Sequence, residues 1–103
     1  MKKYLDIVKK IHASPYKLTL VSSGGGTNAI SELLKVPGAS KTILESYIPY
    51  SKKSMDVFLG KKPDHYCSLD ACLNMAANAY KKSSEIGEKT KTKHLLGIAI
   101  TAN

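Results

Sequence analysis

Residues 18–30 read LTLVSSGGGTNAI, and this stretch decides the fold. Leu18, Thr19, Leu20 and Val21 form a short apolar run with a β-branched end, long enough for a buried strand and too short for a helix. Ser22, Ser23, Gly24, Gly25 and Gly26 then make a loop. Thr27 or Asn28 can cap a helix whose apolar face is Ala29, Ile30, Leu33 and Leu34. The unit is strand, glycine loop, helix.

Upstream, Tyr4, Ile7, Val8 and Ile11 recur at helical spacing among lysines, which predicts an amphipathic first helix stopped by Ser14 and Pro15. Downstream, Pro37 and Gly38 end the second helix, and residues 41–46 fit either a helical turn or irregular chain. Residues 47–50 read as a second strand that Pro49 confines to an edge or an end. Ser51 caps a short helix through Leu59, with Met55, Phe58 and Leu59 inward and Gly60 closing it. Ser68 caps a longer one whose inward face is Leu69, Cys72, Leu73, Ala76, Ala79 and Tyr80. Residues 83–92 are polar and read as a solvated loop, and residues 95–101 as a last buried strand. The alternation predicts an α/β layered domain, a small mainly parallel sheet flanked by helices. So small a sheet leaves an unpaired edge, so either the chain associates, as a homo-oligomer, or it is part of something longer.

The 103 residues make one domain. The formal net charge is +8, and all 16 basic residues are lysine. Without the planar guanidinium fork of arginine the chain is poorly equipped for base readout, so nucleic acid is allowed but not indicated. No apolar run approaches the roughly 20 residues of a membrane helix, and the start lacks the pattern of a signal peptide, so the expected compartment is the cytosol. Cys67 and Cys72 are five apart, at neither redox nor zinc-knuckle spacing, and read as free thiols. His12, His65 and His94 are scattered, and no metal or cofactor is called for.

Two clusters carry chemistry. In the first, Gly24, Gly25 and Gly26 let backbone N–H groups turn toward an anion while the following helix adds partial positive charge, with Ser22 and Thr27 beside them. The same loop can instead present Ser23 as a nucleophile next to an oxyanion-stabilising backbone. The second cluster is Tyr50, Ser51, Lys52 and Lys53, where a lysine or tyrosine can activate a serine, or where a helix cap is simply followed by two solvated lysines. His65 beside Asp64 and Cys67 is a third, weaker grouping suited to thiol chemistry or to a surface loop.

Taken jointly, VSSGGGT at 21–27, PGAS at 37–40, YSKKSM at 50–55 with Gly60, CSLDACLNMAANAY at 67–80 and LLGIAITAN at 95–103 resemble the CinA C-terminal domain family of nicotinamide-nucleotide amidases. The wording IHASP, VPGAS and PYSKKSM is similar to the CinA-like module that accompanies a nucleotidylyltransferase-like domain in some eukaryotic proteins. The resemblance implies the family's α/β fold and a metal-free serine and lysine mechanism, with a tyrosine nearby, on the carboxamide of nicotinamide mononucleotide. By position the serine is Ser23 and the tyrosine Tyr50, whereas the lysine position holds Met55 and the acidic residue before the serine is Ser22. Thr27 stands where the family has the second glycine of its triplet. The chain stops where the family's second site loop begins, so the resemblance implies a truncated domain.

A thioether neither accepts nor donates the proton that a lysine handles, unless Lys52 or Lys53 substitutes from a helical turn away. The expectation is therefore a degenerate module that binds a pyridine nucleotide or assembles with a nucleotidylyltransferase-like partner without turnover. The rival expectation is a serine-dependent amidohydrolase that deamidates nicotinamide mononucleotide, with Ser23 as nucleophile, Tyr50 orienting and Lys52 or Lys53 as the displaced cation.

Overall fold

The computed structural model describes residues 2–87 and 89–102. In chain order it runs α1 (Lys2–Ala13), β1 (Lys17–Ser23), α2 (Thr27–Lys35), β2 (Ile43–Tyr47), α3 (Lys52–Leu59), α4 (Leu69–Ile86) and β3 (Leu95–Thr101). Short 3₁₀ turns at Ala39–Lys41 and Thr92–His94 lead into β2 and β3. The strands form one parallel sheet in the order β2-β1-β3, which makes β1 central. The α/β architecture expected from the sequence is thus present, as a small three-stranded parallel sheet with four helices.

β1 is buried on both faces, which is why its sequence is a continuous apolar run and not an alternation. Leu18 and Leu20 meet Ile30 of α2 on one face. Val21 points to the other face, into Met55 and Leu59 of α3 and Met75 and Ala79 of α4. Met55, Met75 and Val21 are completely enclosed, each contributing roughly 1.5–3 kcal/mol of burial. Two buried polar networks tie the layers. His12 Nε2–H donates to Leu33 O at 2.9 Å, so its Nδ1 accepts from the Thr42 hydroxyl at 3.0 Å, joining α1 to the end of α2 and the start of β2. On the opposite face the Ser83 hydroxyl donates to Leu96 O at 2.7 Å and shares a hydrogen bond with Thr19 Oγ1 at 2.8 Å.

Several boundaries and faces differ from the sequence reading. The second strand is Ile43–Tyr47, not 47–50: pairing starts where Leu18 N donates to Thr42 O at 2.8 Å, and beyond Tyr47 Pro49 has no N–H to continue it. α4 continues to Ile86 where a loop was expected, because Ser83 turns its hydroxyl into the sheet. Its inward face is Ala71, Met75, Ala79 and Ser83, while Leu69, Leu73 and Tyr80 are exposed. The cause is Gly97: a Cβ there would run into Tyr80 N and Ala76 O and lie 2.7 Å from Tyr80 Cα. β3 and α4 touch backbone to backbone, so mainly small side chains fit between them. On α1, Val8 and His12 are buried, whereas Tyr4 and Ile7 stay exposed.

Candidate functional site

All three strands point the same way, so β1, β2 and β3 end at one edge of the sheet. β1 connects through α2 to β2 on one side of it, and the chain returns from β2 through α3 and α4 to β3 on the other side. That makes the β1–β3 end a topological switch point, where open α/β sheets form ligand crevices. The glycine loop opens there. Ser23 O accepts from Ala102 N at 3.2 Å, which lashes the end of β3 to the start of the loop.

Gly24 has φ +85°, a left-handed conformation that a side chain would strain, and a Cβ on it would strike the carbonyl of Ala102. Gly26 is the N-cap of α2, which starts at Thr27. Neither Thr27 nor Asn28 caps the helix as the sequence suggested, and no side chain does so. By contrast Ser51 Oγ accepts from Ser54 N at 3.1 Å on α3, and Ser68 Oγ accepts from Ala71 N at 3.1 Å on α4, both as the sequence indicated. The first-turn amides of α2 therefore have no side-chain acceptor, and the partial positive charge of the helix end is uncompensated.

Ser22 lies directly beneath this end. It is fully enclosed, and its Oγ is the one buried side-chain oxygen or nitrogen among the described residues that lacks a hydrogen-bond partner. A Cβ on Gly26 would sit 2.8 Å from Ser22 Oγ and 2.9 Å from Ile100 Cβ, so the hydroxyl is directed at the cap. Ser23, one residue on, points to the other face and is half-buried. Gly25 and Thr27 are exposed at the mouth.

The register that pairs Val21 with Tyr47 brings the chain after β2 to the same edge. Tyr50 lies on that segment and is 81% exposed, while Lys52 and Lys53 are exposed in the first turn of α3. Among the described residues no hydrogen bond joins Ser23 to Tyr50, Lys52 or Lys53. Lys52 Nζ instead lies 5.7 Å above the Tyr66 ring. Met55 is 2% exposed and belongs to the core with Val21 and Met75. Tyr66 donates to Asp56 Oδ1 at 2.7 Å, and this bond, which the phenolate would lose, holds its hydroxyl above the usual tyrosine pKa. Tyr47 is pushed in the same direction, first by burial and then by its hydrogen bond to Glu45.

Elsewhere, a cleft of about 550 Å³ opens by the start of α4 between Lys61, Lys62, His65, Ser68 and Asp70. It is not built on the glycine loop. Among the described residues no group of three or more His, Cys, Asp and Glu side chains is arranged to hold a metal, and no helix is long and apolar enough to cross a membrane. The missing cap and the orphaned Ser22 hydroxyl were not legible in the sequence, where Thr27 and Asn28 were the obvious caps. The only available signal was a glycine directly before them. Comparison with protein-family models, with curated proteins and with solved structures finds no match to this chain.

Proposed function

We propose that the chain is a non-catalytic binding module for a phosphate-bearing small molecule, held at the glycine loop by the open N-terminus of α2. The observation that carries this reading is the pairing of an uncapped helix end with a buried, unpartnered Ser22 hydroxyl aimed at its cap. An anion seated on the first-turn amides supplies the missing acceptors and meets the uncompensated helix dipole. The CinA-like resemblance makes a pyridine nucleotide such as nicotinamide mononucleotide the first ligand to test. It also makes a nucleotidylyltransferase-like domain the first partner to test.

Absence of turnover is supported by Met55, which fills the family's lysine position and is committed to the core. Neither Lys52 nor Lys53 makes good the loss, since neither is hydrogen-bonded to Ser23 and Lys52 is drawn to the Tyr66 ring. Hydrolysis needs a base within hydrogen-bond reach of the nucleophile. The rival amidohydrolase rests on the placement of Ser23 at the open end of β1.

Calorimetric titration of the full chain with nicotinamide mononucleotide, with ammonia followed in the same samples, separates the two. The proposal expects saturable binding that weakens in Ser22→Ala and no ammonia above the buffer blank. Ammonia release that vanishes in Ser23→Ala establishes the amidohydrolase instead. Absence of saturable binding by both nicotinamide mononucleotide and inorganic phosphate overturns the site itself.

A further inference from the structure

All three strands begin at the pole opposite the glycine loop, and that pole concentrates charge. Residues 9–17, 38–42 and 89–94 hold seven of the 16 lysines and none of the eight acidic residues. The fold brings these three segments together. His12 at the end of α1 is hydrogen-bonded to Thr42 at 3.0 Å, and Lys17 Nζ donates to Lys41 O at 2.9 Å. The pairing of Lys17 with Leu95 sets the turn at 92–94 beside the start of β1. Of the seven lysines Lys17 is half-buried and the rest are exposed. Among the described residues the one ion pair is Lys35 with Glu32, so none of the seven is neutralised by a carboxylate. Glu85, near the end of α4, lies toward Tyr47 of β2. Like charges crowded at one pole repel, and a polyanion laid across them relieves that repulsion. Unlike an apolar face, exposed ammonium groups are stable in water and need no cover from the chain itself.

An aromatic pair stands among these charges. The rings of Tyr16 and His94 meet edge to face, with centroids 5.4 Å apart. Tyr16 is 40% exposed. Lys10 shares its groove, Lys17 follows it in the chain, and Lys93 precedes His94. Lysine meets a phosphate as a point charge and lacks the fork that reads base edges. An exposed ring, by contrast, offers a face on which any base can stack. Lysines that follow a phosphate backbone around a stacking ring are the parts of a single-strand platform. An acidic peptide or an anionic bilayer would engage the lysines and leave the ring idle.

We propose that this pole binds single-stranded nucleic acid without regard to its sequence, with phosphates on Lys10, Lys17, Lys41, Lys91 and Lys93 and a base stacked on Tyr16. The three segments lie far apart in the chain, so the patch exists only in the folded molecule. About five phosphate contacts make log affinity fall with log salt at a slope of roughly −3.5. A duplex carries more charge but no free base face, so preference for the single strand isolates the contribution of Tyr16.

Fluorescence anisotropy of a labelled oligouridylate of about 12 nucleotides, titrated with the full chain between about 50 and 200 mM salt, is the test. The proposal expects saturable binding that weakens roughly a hundredfold over that range and is tighter than that of a blunt duplex of equal length. Tyr16→Ala loses at least about fivefold in affinity, whereas Tyr16→Phe keeps it. Lys91→Gln with Lys93→Gln makes the slope shallower by about 1.4, and the same change at Lys61 and Lys62, by the start of α4, does not. No saturable binding at the lower salt, a duplex bound as tightly as the single strand, indifference to Tyr16→Ala, or equal losses from the two lysine pairs each overturn the proposal. Polyglutamate or phosphatidylserine vesicles bound as tightly as the oligonucleotide overturn it too, and assign the patch to an acidic protein or a bilayer.

Discussion

Ser22 is the residue on which stability and binding pull in opposite directions. A hydroxyl enclosed without a partner costs free energy in the folded chain, so Ser22→Ala raises stability by about 1 kcal/mol in urea denaturation while weakening anion binding. A variant that loses stability and keeps full binding contradicts the role given to this side chain. Gly24→Ala behaves in the opposite sense, losing about 1–3 kcal/mol because φ +85° and the Ala102 carbonyl both oppose a Cβ. Tyr66 carries a pH signature. Its pKa is raised in the folded chain, so the Asp56 hydrogen bond stabilises fully below the unfolded tyrosine value near 10 and is lost as pH climbs through the folded value. Ultraviolet titration sees two tyrosines, Tyr47 and Tyr66, ionise later than normal, and Asp56→Ala moves Tyr66 back toward the ordinary range while leaving Tyr47 late. None of this was readable from residue identities, because a serine pair beside glycines does not say which hydroxyl faces inward. That follows from strand parity, which puts Ser22 with Leu18 and Leu20 and leaves Ser23 with Val21.

At the scale of elements, the sequence located β1, α3 and β3 well because each is punctuated by a local device: the glycine loop, the Ser51 cap with Gly60, and the apolar run 95–101. It misplaced β2 and the inward face of α4 because both depend on partners distant in sequence. β2 is set by its register with β1, and α4 by the close approach at Gly97. That approach makes a prediction about the layer and not just the residue. Gly97→Ala must push α4 away from β3, disturbing the Ser83 hydrogen bonds and lowering stability by about 2–4 kcal/mol in thermal or urea unfolding. Loss below about 0.5 kcal/mol, the range of an ordinary surface change, would show that the contact is looser than described.

For the molecule as a whole, the layered architecture has one consequence for function: the glycine loop, the segment after β2 and the end of β3 share one edge of the sheet. The first half of the candidate site was legible, since a strand entering a glycine loop ahead of a helix announces an anion-compatible turn. Its second half, Tyr50, Lys52 and Lys53, was named from the sequence, but its arrival at the same edge depends on the pairing of β2, which local sequence does not give. The excess of lysine is spread widely over the surface, so it attracts anions in general and selects none of them. Selection falls to the loop. The most direct test follows backbone amide resonances of the full chain during titration with nicotinamide mononucleotide. The account predicts saturable shifts largest at Gly25, Gly26, Thr27 and Asn28, reproduced in part by inorganic phosphate. Shifts confined to the cleft around Lys61, Lys62 and His65, with the loop amides unmoved at saturation, would contradict it.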